Sequence, residues 1–432
     1  MRNNNRRNFL QRAGALTATA FFSSLTKPAW AGNLERALRN AEGISASDLA
    51  TEEDFWYYIQ QSFTVSPGLI NLNNGGVSPA PKTVQDAMKR YYDYCNEAPS
   101  YFMWRVLDMG REPLRQNLAK MAGCDAEEIA INRNSSEGLE TVIFGLQLKA
   151  GDEVVAAKQD YPNMINAYKQ RELREGIKVI WINLELPSED ENYLVQQYVK
   201  AFTAKTKVVH ITHVINWNGQ VLPVKKIAQE AHKRGIEVVV DGAHSFAHLD
   251  FKIPDLDADY FAASLHKWLY APIGSGLLYV RKSKIKTIYP LFATGDNPLK
   301  DDIRKFENLG TRPFFIEQAI SKAIEFHEMI GSERKEKRLH YLKNYWMEKV
   351  RSIPKVKLNT SLDPKWGCAI GNVGIEGKKP VELDNFLYDK YKVHTVGIVW
   401  ENINGVRITP NVYTTIKNLD VLIDGITAFA KS

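Results

Sequence analysis

The residues best suited to chemistry are a lysine, a carboxylate and several phosphate-binding side chains, each of which follows an apolar run. Lys267 ends the segment Ser264-Leu265-His266-Lys267, which begins at the last residue of the apolar run YFAAS. Partial burial lowers the pKa of a lysine, so that its amine is free to form an imine with an aldehyde. Ser264 and His266 carry hydrogen-bonding groups that suit a phosphate. The segment therefore predicts a site for a phosphorylated aldehyde.

A carboxylate occupies the same kind of position in the segment VVVDGAHSFAHLDF. Asp241 ends an apolar run and is followed by Gly242, and a carboxylate there is poorly solvated and favours a cationic partner. A protonated pyridine nitrogen is such a partner, and keeping that proton lets the ring act as an electron sink. His244 is placed to face the same ring. From this motif alone, Asp241 as a helix cap at the end of the strand remains the alternative.

The third motif is the polar turn in EEIAINRNSSEGLETVIFGL, which leads from a strand pattern into a helix pattern. Ser135 and Ser136 fall at the start of that helix. Free backbone N–H groups, hydroxyls and the positive end of the helix dipole together form an anion site. A serine that only caps the helix is the alternative for this motif.

These motifs must be positioned by the alternating strand and helix patterns between residues 127 and 281. Such alternation predicts an α/β fold with a mostly parallel sheet flanked by helices, in which ligands bind at the carboxyl ends of the strands. A long helix pattern from Phe315 to about Val350 leads to a smaller C-terminal α+β domain. We expect a large domain within residues 32–315 and the connector helix with the small domain in residues 316–432. The predicted strands are EEIAI, EVVAA, KVIWINL, KVVHITHV, IEVVVD, YFAAS and GLLYV.

On these motifs, residues 69–413 resemble the class V aminotransferase family of fold-type I pyridoxal phosphate enzymes. The resemblance implies that Lys267 carries pyridoxal 5′-phosphate as an imine and that Asp241 pairs with the pyridine nitrogen. It also implies a phosphate site, formed by Ser135, Ser136, Ser264 and His266. The segments NLNNGGVSP and DGAHSFAHLDF are most similar to the isopenicillin N epimerase-like branch.

The same resemblance assigns roles outside these motifs. It implies that Tyr161 stacks on the pyridine ring, and that Asn216 contacts the phenolic oxygen of the cofactor with His244 as its neighbour. Arg407 corresponds to the arginine that binds the substrate carboxylate, as the planar guanidinium allows. A core tyrosine and a solvated surface arginine are the alternatives. Thr311 resembles a residue that reaches the partner subunit's phosphate, which implies a homodimer.

The residues leave the reaction open. We expect an aminotransferase acting on the α-amino group of a small-molecule or peptide amine. Epimerisation or racemisation, elimination, tailoring of a secreted peptide or siderophore, and a catalytically degenerate binding protein are the alternatives. Cysteine desulfurases carry a nucleophilic cysteine ahead of the carboxylate-binding arginine, and the stretch from Val381 to Arg407 contains none. Cys368 is expected to be a small core residue.

The N-terminus predicts export. Arg6 and Arg7 precede a short apolar run that ends at Ala29-Trp30-Ala31, which resembles a twin-arginine signal peptide of residues 1–31. We therefore expect export by the twin-arginine machinery to the periplasm or beyond, without a stable membrane anchor. Removing the signal lowers the formal net charge from +6 to +1, so no nucleic-acid partner is expected. The five basic residues lost are Arg2, Arg6, Arg7, Arg12 and Lys27.

Two other enzyme classes are disfavoured by missing motifs. A Rossmann dehydrogenase needs GxGxxG between a strand and a helix, whereas Gly274-Ser275-Gly276 precedes a strand pattern. Metal hydrolysis needs a ligand spacing such as HExxH, which the nine histidines do not provide. His210 and His213 lie on one apolar strand and are expected in the core. No metal site is therefore predicted.

Overall fold

The computed structural model describes residues 36–39, 41–295 and 297–432. The signal peptide predicted at residues 1–31 lies outside these residues. Residues 36–39 and 41–43 belong to one unit, in which 36–39 are helical, and Ile44–Ser432 form a second unit. Within the described residues, no helix is long and apolar enough to cross a membrane.

A seven-stranded sheet carries the predicted motifs. Its order is β2-β8-β7-β6-β5-β3-β4, and all its strands are parallel except β8, which runs antiparallel to both neighbours. The predicted mostly parallel α/β fold is therefore confirmed. All seven expected strands form, as β2 (Ile129–Asn132), β3 (Glu153–Ala157), β4 (Lys178–Ile182), β5 (Thr206–Thr212), β6 (Glu237–Asp241), β7 (Tyr260–Ser264) and β8 (Gly276–Val280).

The central strands form because they are apolar on both faces. Strands β7 and β8 are buried along their whole length, as expected when helices cover a sheet on both sides. His210 and His213, at β5, are buried as predicted. The helices that connect these strands are α6 (Ser135–Gly145), α7 (Pro162–Glu175), α8 (Glu191–Val199), α9 (Val224–His232) and the short α10 (Leu265–Trp268).

The N-terminal part of this unit is mostly helical. Arg338 ties it to the C-terminal half, because its buried guanidinium donates hydrogen bonds to the carbonyl of Ala50 at 2.9 Å and to Glu53 at 2.5 Å. The helices are α1 (Ala46–Leu49), α2 (Glu53–Gln60), α3 (Lys82–Glu97), α4 (Pro99–Tyr101) and α5 (Arg111–Ala122), with strand β1 (Ile70–Asn71) between α2 and α3.

The C-terminal part has its own antiparallel sheet and its own core. The sheet order is β12-β13-β10-β9, and β11 pairs in parallel with β1. The expected single connector helix is instead two helices, because Gly331 takes φ +89°, which is outside the helical range. The elements are α11 (Phe314–Ile330), α12 (Ser332–Val350), β9 (Val356–Leu358), β10 (Gly371–Ile375), α13 (Pro380–Tyr391), β11 (Val393–His394), β12 (Val396–Trp400), β13 (Ile403–Ile408) and α14 (Ile416–Ala430). The position of the domain boundary remains a prediction.

Gly242 holds the end of β6 close to β7. A Cβ atom at this residue would lie 1.9 Å from Cζ of Phe261, which is far inside contact distance. Phe261 belongs to the buried strand β7 and cannot move without disturbing the sheet. The absence of a side chain at Gly242 therefore sets how closely Asp241 approaches the neighbouring strand.

We predict that Gly242→Ala lowers the free energy of unfolding by about 1–3 kcal/mol, the usual cost of overpacking a core. The measurement is urea denaturation followed by circular dichroism. Gly68→Ala is the matched control, because a Cβ atom there has no neighbour within 4 Å and the backbone needs no positive φ. Equal midpoints for the two variants would contradict the packing argument.

Candidate active site

A cavity of about 360 Å³ lies at the carboxyl edge of the seven-stranded sheet. Residues of the seven-stranded sheet, of the four-stranded sheet and of the segment after β1 line it. Every predicted site residue except Thr311 lines it. The lining residues are Gly75, Gly76, Asn134, Ser135, Ser136, Leu139, Tyr161, Met164, Thr212, Asn216, Trp217, Asp241, Ala243, His244, Ser264, His266, Lys267, Val396, Ile398 and Arg407.

Lys267 reaches the cavity from α10, the single turn of helix that follows β7. Its Nζ lies 3.0 Å from Nε2 of His244. Burial lowers the pKa of Lys267 to about 8, since desolvation disfavours the ammonium, and Arg407 lowers it further while Asp241 opposes the shift. A substantial fraction of the amine is therefore neutral near pH 8, as imine chemistry and proton transfer require.

Asp241 ends β6 as predicted, deep in the cavity. Its Oδ1 accepts a hydrogen bond from the N–H of Ala243 at 2.8 Å. Burial raises the pKa of Asp241, although this hydrogen bond and the charge of Lys267 oppose the rise. A carboxylate in this setting is stabilised by a cation, which is what a protonated pyridine nitrogen supplies.

The two serines predicted to form an anion site lie where α6 begins. Asn134 caps the helix, because its side chain accepts from the N–H of Glu137 at 2.9 Å. The alternative in which a serine is the cap is therefore wrong, and Ser135 and Ser136 occupy the first two helical positions. The Ser135 N–H and hydroxyl lie 3.0 and 2.9 Å from Oγ of Ser264. The ends of two strands thus bring the hydroxyls of Ser135 and Ser264 together at the N-terminus of α6.

His266 completes that end of the cavity. Its Nδ1 lies 3.2 Å from the carbonyl oxygen of Ser275, which can only accept a hydrogen bond. Nδ1 is therefore the protonated nitrogen, and Nε2 is left to interact elsewhere. The His266 ring is oriented by the backbone just before β8.

Arg407 enters the cavity from β13 of the smaller sheet. One terminal nitrogen donates to the carbonyl of Asn216 at 3.0 Å and the other donates to Oδ1 of Asn73 at 2.9 Å. The side chain is buried, so the surface-arginine alternative is wrong, and desolvation lowers its pKa to about 10. It remains a cation at neutral pH, suited to a carboxylate.

Asn216 and Tyr161 line the cavity between these groups. Oδ1 of Asn216 is buried and has no hydrogen-bond partner among the described residues, as expected of an atom that a ligand would satisfy. Tyr161 immediately precedes α7 and is 41% exposed, so the core-tyrosine alternative is wrong. Thr311 is exposed before α11 and does not line this cavity. Its role toward a partner subunit stays a prediction.

The sequence motifs did not predict the layer of side chains that packs behind Lys267. The ring of Trp268 stacks on His248 at 3.7 Å, and its Nε1 donates to Nδ1 of His244 at 3.4 Å. The fully buried Lys335 donates a hydrogen bond to the carbonyl of Trp268. The residue after Lys267 is thus held at its ring and its backbone. Lys335 lies in a helix rich in Lys and Glu, where its sequence neighbours give no sign of burial.

The sequence motifs also did not indicate Asp160, although it directly precedes Tyr161. Its carboxylate accepts hydrogen bonds from the Thr212 hydroxyl at 2.7 Å and from the Ala157 N–H at 2.9 Å. Burial raises the pKa of Asp160 to about 7, and the negative charge of Asp241 adds to the rise. A polar residue before a helix that starts with Pro162 could have drawn attention to this position.

The chemistry of the donor set fits pyridoxal 5′-phosphate. The group needs an anion site, a partner for its pyridine nitrogen, a partner for its phenolic oxygen and an amine for its aldehyde. The anion site is supplied by Ser135, Ser264 and His266 together with the N-terminus of α6. Asp241 supplies the partner for the pyridine nitrogen, the side-chain amide of Asn216 supplies the partner for the phenolic oxygen, and Lys267 supplies the amine.

The chain is similar to known proteins over most of its length. Residues 70–397 match the family model "Aminotransferase class-V". Isopenicillin N epimerase of Streptomyces clavuligerus is 26% identical over 392 residues, which cover 86% of this chain and 98% of that protein. A probable cysteine desulfurase of Halalkalibacterium halodurans is 28% identical and covers 76% of this chain and 83% of its own length.

The fold also matches solved structures. A C-DES mutant with glycine covalently linked to its PLP cofactor superposes with a TM-score of 0.77 at 21% identity. The match covers 85% of this chain and 98% of that chain. At this identity the match concerns the fold alone.

We predict that the amine of Lys267 in the cofactor-free protein titrates near pH 8, rather than near the ordinary lysine value of about 10.4. Competitive labelling with trace amine reagent from pH 6 to 11, followed by mass spectrometry of the Lys267 peptide, measures the midpoint. The direction in which each substitution shifts the midpoint follows from the charge that it removes. Asp241→Asn removes an anion and should lower the midpoint, whereas Arg407→Gln removes a cation and should raise it. Shifts in the opposite directions would contradict this account.

Proposed function

The chain belongs to the class V aminotransferase family, and from that premise we propose that it is an aminotransferase acting on the α-amino group of an amino-acid-like substrate. Its cofactor is pyridoxal 5′-phosphate. The observation that carries the proposal is that one cavity holds both the Lys267 amine and the Arg407 guanidinium. The first suits proton transfer at a carbon and the second suits a carboxylate, and an α-amino acid needs both.

Each residue has one task in this proposal. When bound, pyridoxal phosphate supplies an electron sink that weakens the Cα–H bond of an amine joined to it. Asp241 keeps the pyridine nitrogen protonated, and the anion site at α6 holds the phosphate. Arg407 orients the substrate by its carboxylate. Lys267, whose pKa burial lowers to about 8, would take up the Cα proton as general base.

His244 stabilises this base in its neutral form. Burial and the charges of Lys267 and Arg407 lower the pKa of His244 well below its ordinary value. Nδ1 of His244 accepts a hydrogen bond from Trp268, so Nε2 carries the proton in the neutral ring. Nε2 therefore donates a hydrogen bond to the Lys267 amine, 3.0 Å away. The neutral imidazole therefore adds no positive charge beside the base.

Epimerisation is the second candidate, for two reasons. Tyr161 follows β3 and Lys267 follows β7, and these strands lie on either side of β6, which carries Asp241. Two groups able to carry a proton thus reach the cavity from both sides of the strand that would hold the pyridine nitrogen. The relative from Streptomyces clavuligerus, which is matched over 98% of its length, is an isopenicillin N epimerase.

The cysteines of this chain do not support a cysteine desulfurase reaction, although some relatives are named cysteine desulfurases. The chain has three cysteines, and none lines the cavity. Burial raises the pKa of Cys124 and of Cys368 to about 12 and raises that of Cys95. Because the thiolate is the nucleophile, none of the three is suited to attack sulfur. The core position expected for Cys368 is confirmed.

We further propose that the mature enzyme is exported by the twin-arginine machinery and works as a homodimer, with no nucleic-acid partner and no stable membrane anchor. Arg6 and Arg7 before a short apolar run support the export route. The position of Thr311 outside its own cavity is compatible with a role in a partner subunit's site. A secreted peptide or siderophore precursor is then a candidate substrate.

We predict that the purified protein shows a visible absorption band that Lys267→Ala abolishes and that Lys169→Ala, which changes an exposed lysine, retains. With an amino donor and no acceptor, transamination should release one equivalent of keto acid per active site. Epimerisation should instead remove optical activity without keto acid. Lys267→Ala should slow either reaction by about 10²-fold or more. A protein that binds no pyridoxal phosphate would leave only the non-catalytic binding role.

We predict that exchanging Arg6 and Arg7 for lysine strongly reduces export, because the paired arginines are the feature read by the transporter. Fractionation of cells that possess this transporter measures the effect. Arg12→Lys is the control, since Arg12 lies outside the pair. Undiminished export of the double variant would refute the proposed route.

A further inference from the structure

The carboxylate-binding arginine lies beside an apolar surface. Val396 on β12 is the register partner of Arg407 on β13, and Ile398 follows two residues later. Directly opposite residues of an antiparallel pair project from the same face, with Cβ atoms about 4.5–5.5 Å apart. Both aliphatic side chains line the cavity. A substrate held by its carboxylate at Arg407 therefore has alkyl groups as neighbours.

Trp217 extends this surface. Its ring stacks on Trp400 with centroids 4.8 Å apart and an interplanar angle of 21°. Its Nε1 donates to the carbonyl of Gln159 at 2.9 Å, while that of Trp400 donates to the carbonyl of Lys158 at 2.7 Å. Both indole N–H groups are thus satisfied by backbone. Trp217 therefore presents a fixed aromatic surface to the cavity.

The charged lining residues are all committed to other tasks. Asp241 and Lys267 with His244 form one group, and His266 belongs to the anion site. Arg407 remains for the substrate carboxylate. Among the lining residues, all of which the structure describes, no further Asp, Glu, Lys or Arg stands near Val396 and Ile398. A second charge on the substrate would be buried without a partner, which is costly.

We propose that the substrate is a neutral α-amino acid with a large apolar side chain, bound against Trp217, Val396 and Ile398. This inference rests on the proposed function and specifies its substrate class. The surface selects by removing apolar area from water and by leaving a charged side chain unpaired.

Paired amino acids test the proposal in the holoenzyme. Norleucine and lysine have the same chain length apart from the terminal ammonium, and leucine and aspartate have similar shapes. Dissociation constants are measured from the change in the visible band on titration. We expect norleucine and leucine to bind at least about tenfold more tightly than lysine and aspartate.

Two neighbouring variants locate the selectivity. Ile398→Ala should weaken the binding of leucine and norleucine by about tenfold relative to that of alanine. The reason is that the apolar surface loses about the volume of three carbon atoms. Val399→Ala is the matched control, since Val399 points to the other face of β12 and is 72% exposed. An unchanged visible band in both variants shows that the cofactor site is intact. The ratio of leucine to alanine affinity should change only in Ile398→Ala.

The outcomes separate two failures. Equal binding of the charged and apolar partners, or tighter binding of the charged ones, would overturn the substrate class while the proposed function stands. An Ile398→Ala variant with the wild-type leucine-to-alanine ratio would also overturn it. If no amino acid perturbs the band that depends on Lys267, the proposed function itself fails.

Discussion

The desolvation of the Lys267 amine is the interaction on which the rest of the site depends. An exposed lysine would be protonated at neutral pH and would serve neither as a nucleophile nor as a base. Burial lowers its pKa to about 8, and Arg407 contributes to the shift while Asp241 limits it. The site therefore needs a cavity deep enough to exclude water and two opposite charges placed around the amine. The edge of the seven-stranded sheet supplies the depth, and the smaller sheet supplies Arg407.

The surrounding structure keeps these groups in place. The backbone and ring of Trp268 are fixed by Lys335 and His248, so the turn that carries Lys267 is held from behind. Arg407 is held by the carbonyl of Asn216 and by Asn73, which belong to other parts of the chain. The two sheets thus build one site jointly. A change in how they pack would alter the charge around the amine as well as the shape of the cavity.

The family supports several reactions with one cofactor, so the product depends on the carbon to which the proton returns and on the protein group that returns it. Lys267 alone accounts for proton removal and return in a transamination. Tyr161, which lines the same cavity, is the second proton-carrying group in the alternative proposal of epimerisation. None of the three cysteines lines the cavity, so none supplies the nucleophile on which desulfurases depend. In the proposed function, the side chains beside Arg407 decide which amino acid is accepted, and two of them, Val396 and Ile398, are apolar.

The sequence by itself determined the strands, their arrangement in a mostly parallel sheet and the cofactor-binding motifs, because apolar runs and the residues that follow them are local features. It placed Asp241 and Lys267 at the ends of their strands for the same reason. Only the tertiary structure decided contacts between distant segments, such as Ser135 with Ser264 and Arg407 with Asn73. It also decided the burial of Lys335, which its charged neighbours in the helix conceal. Burial and desolvation are set by packing from the whole chain, so the pKa of Lys267 and the apolar surface beside Arg407 could not be obtained from local pattern.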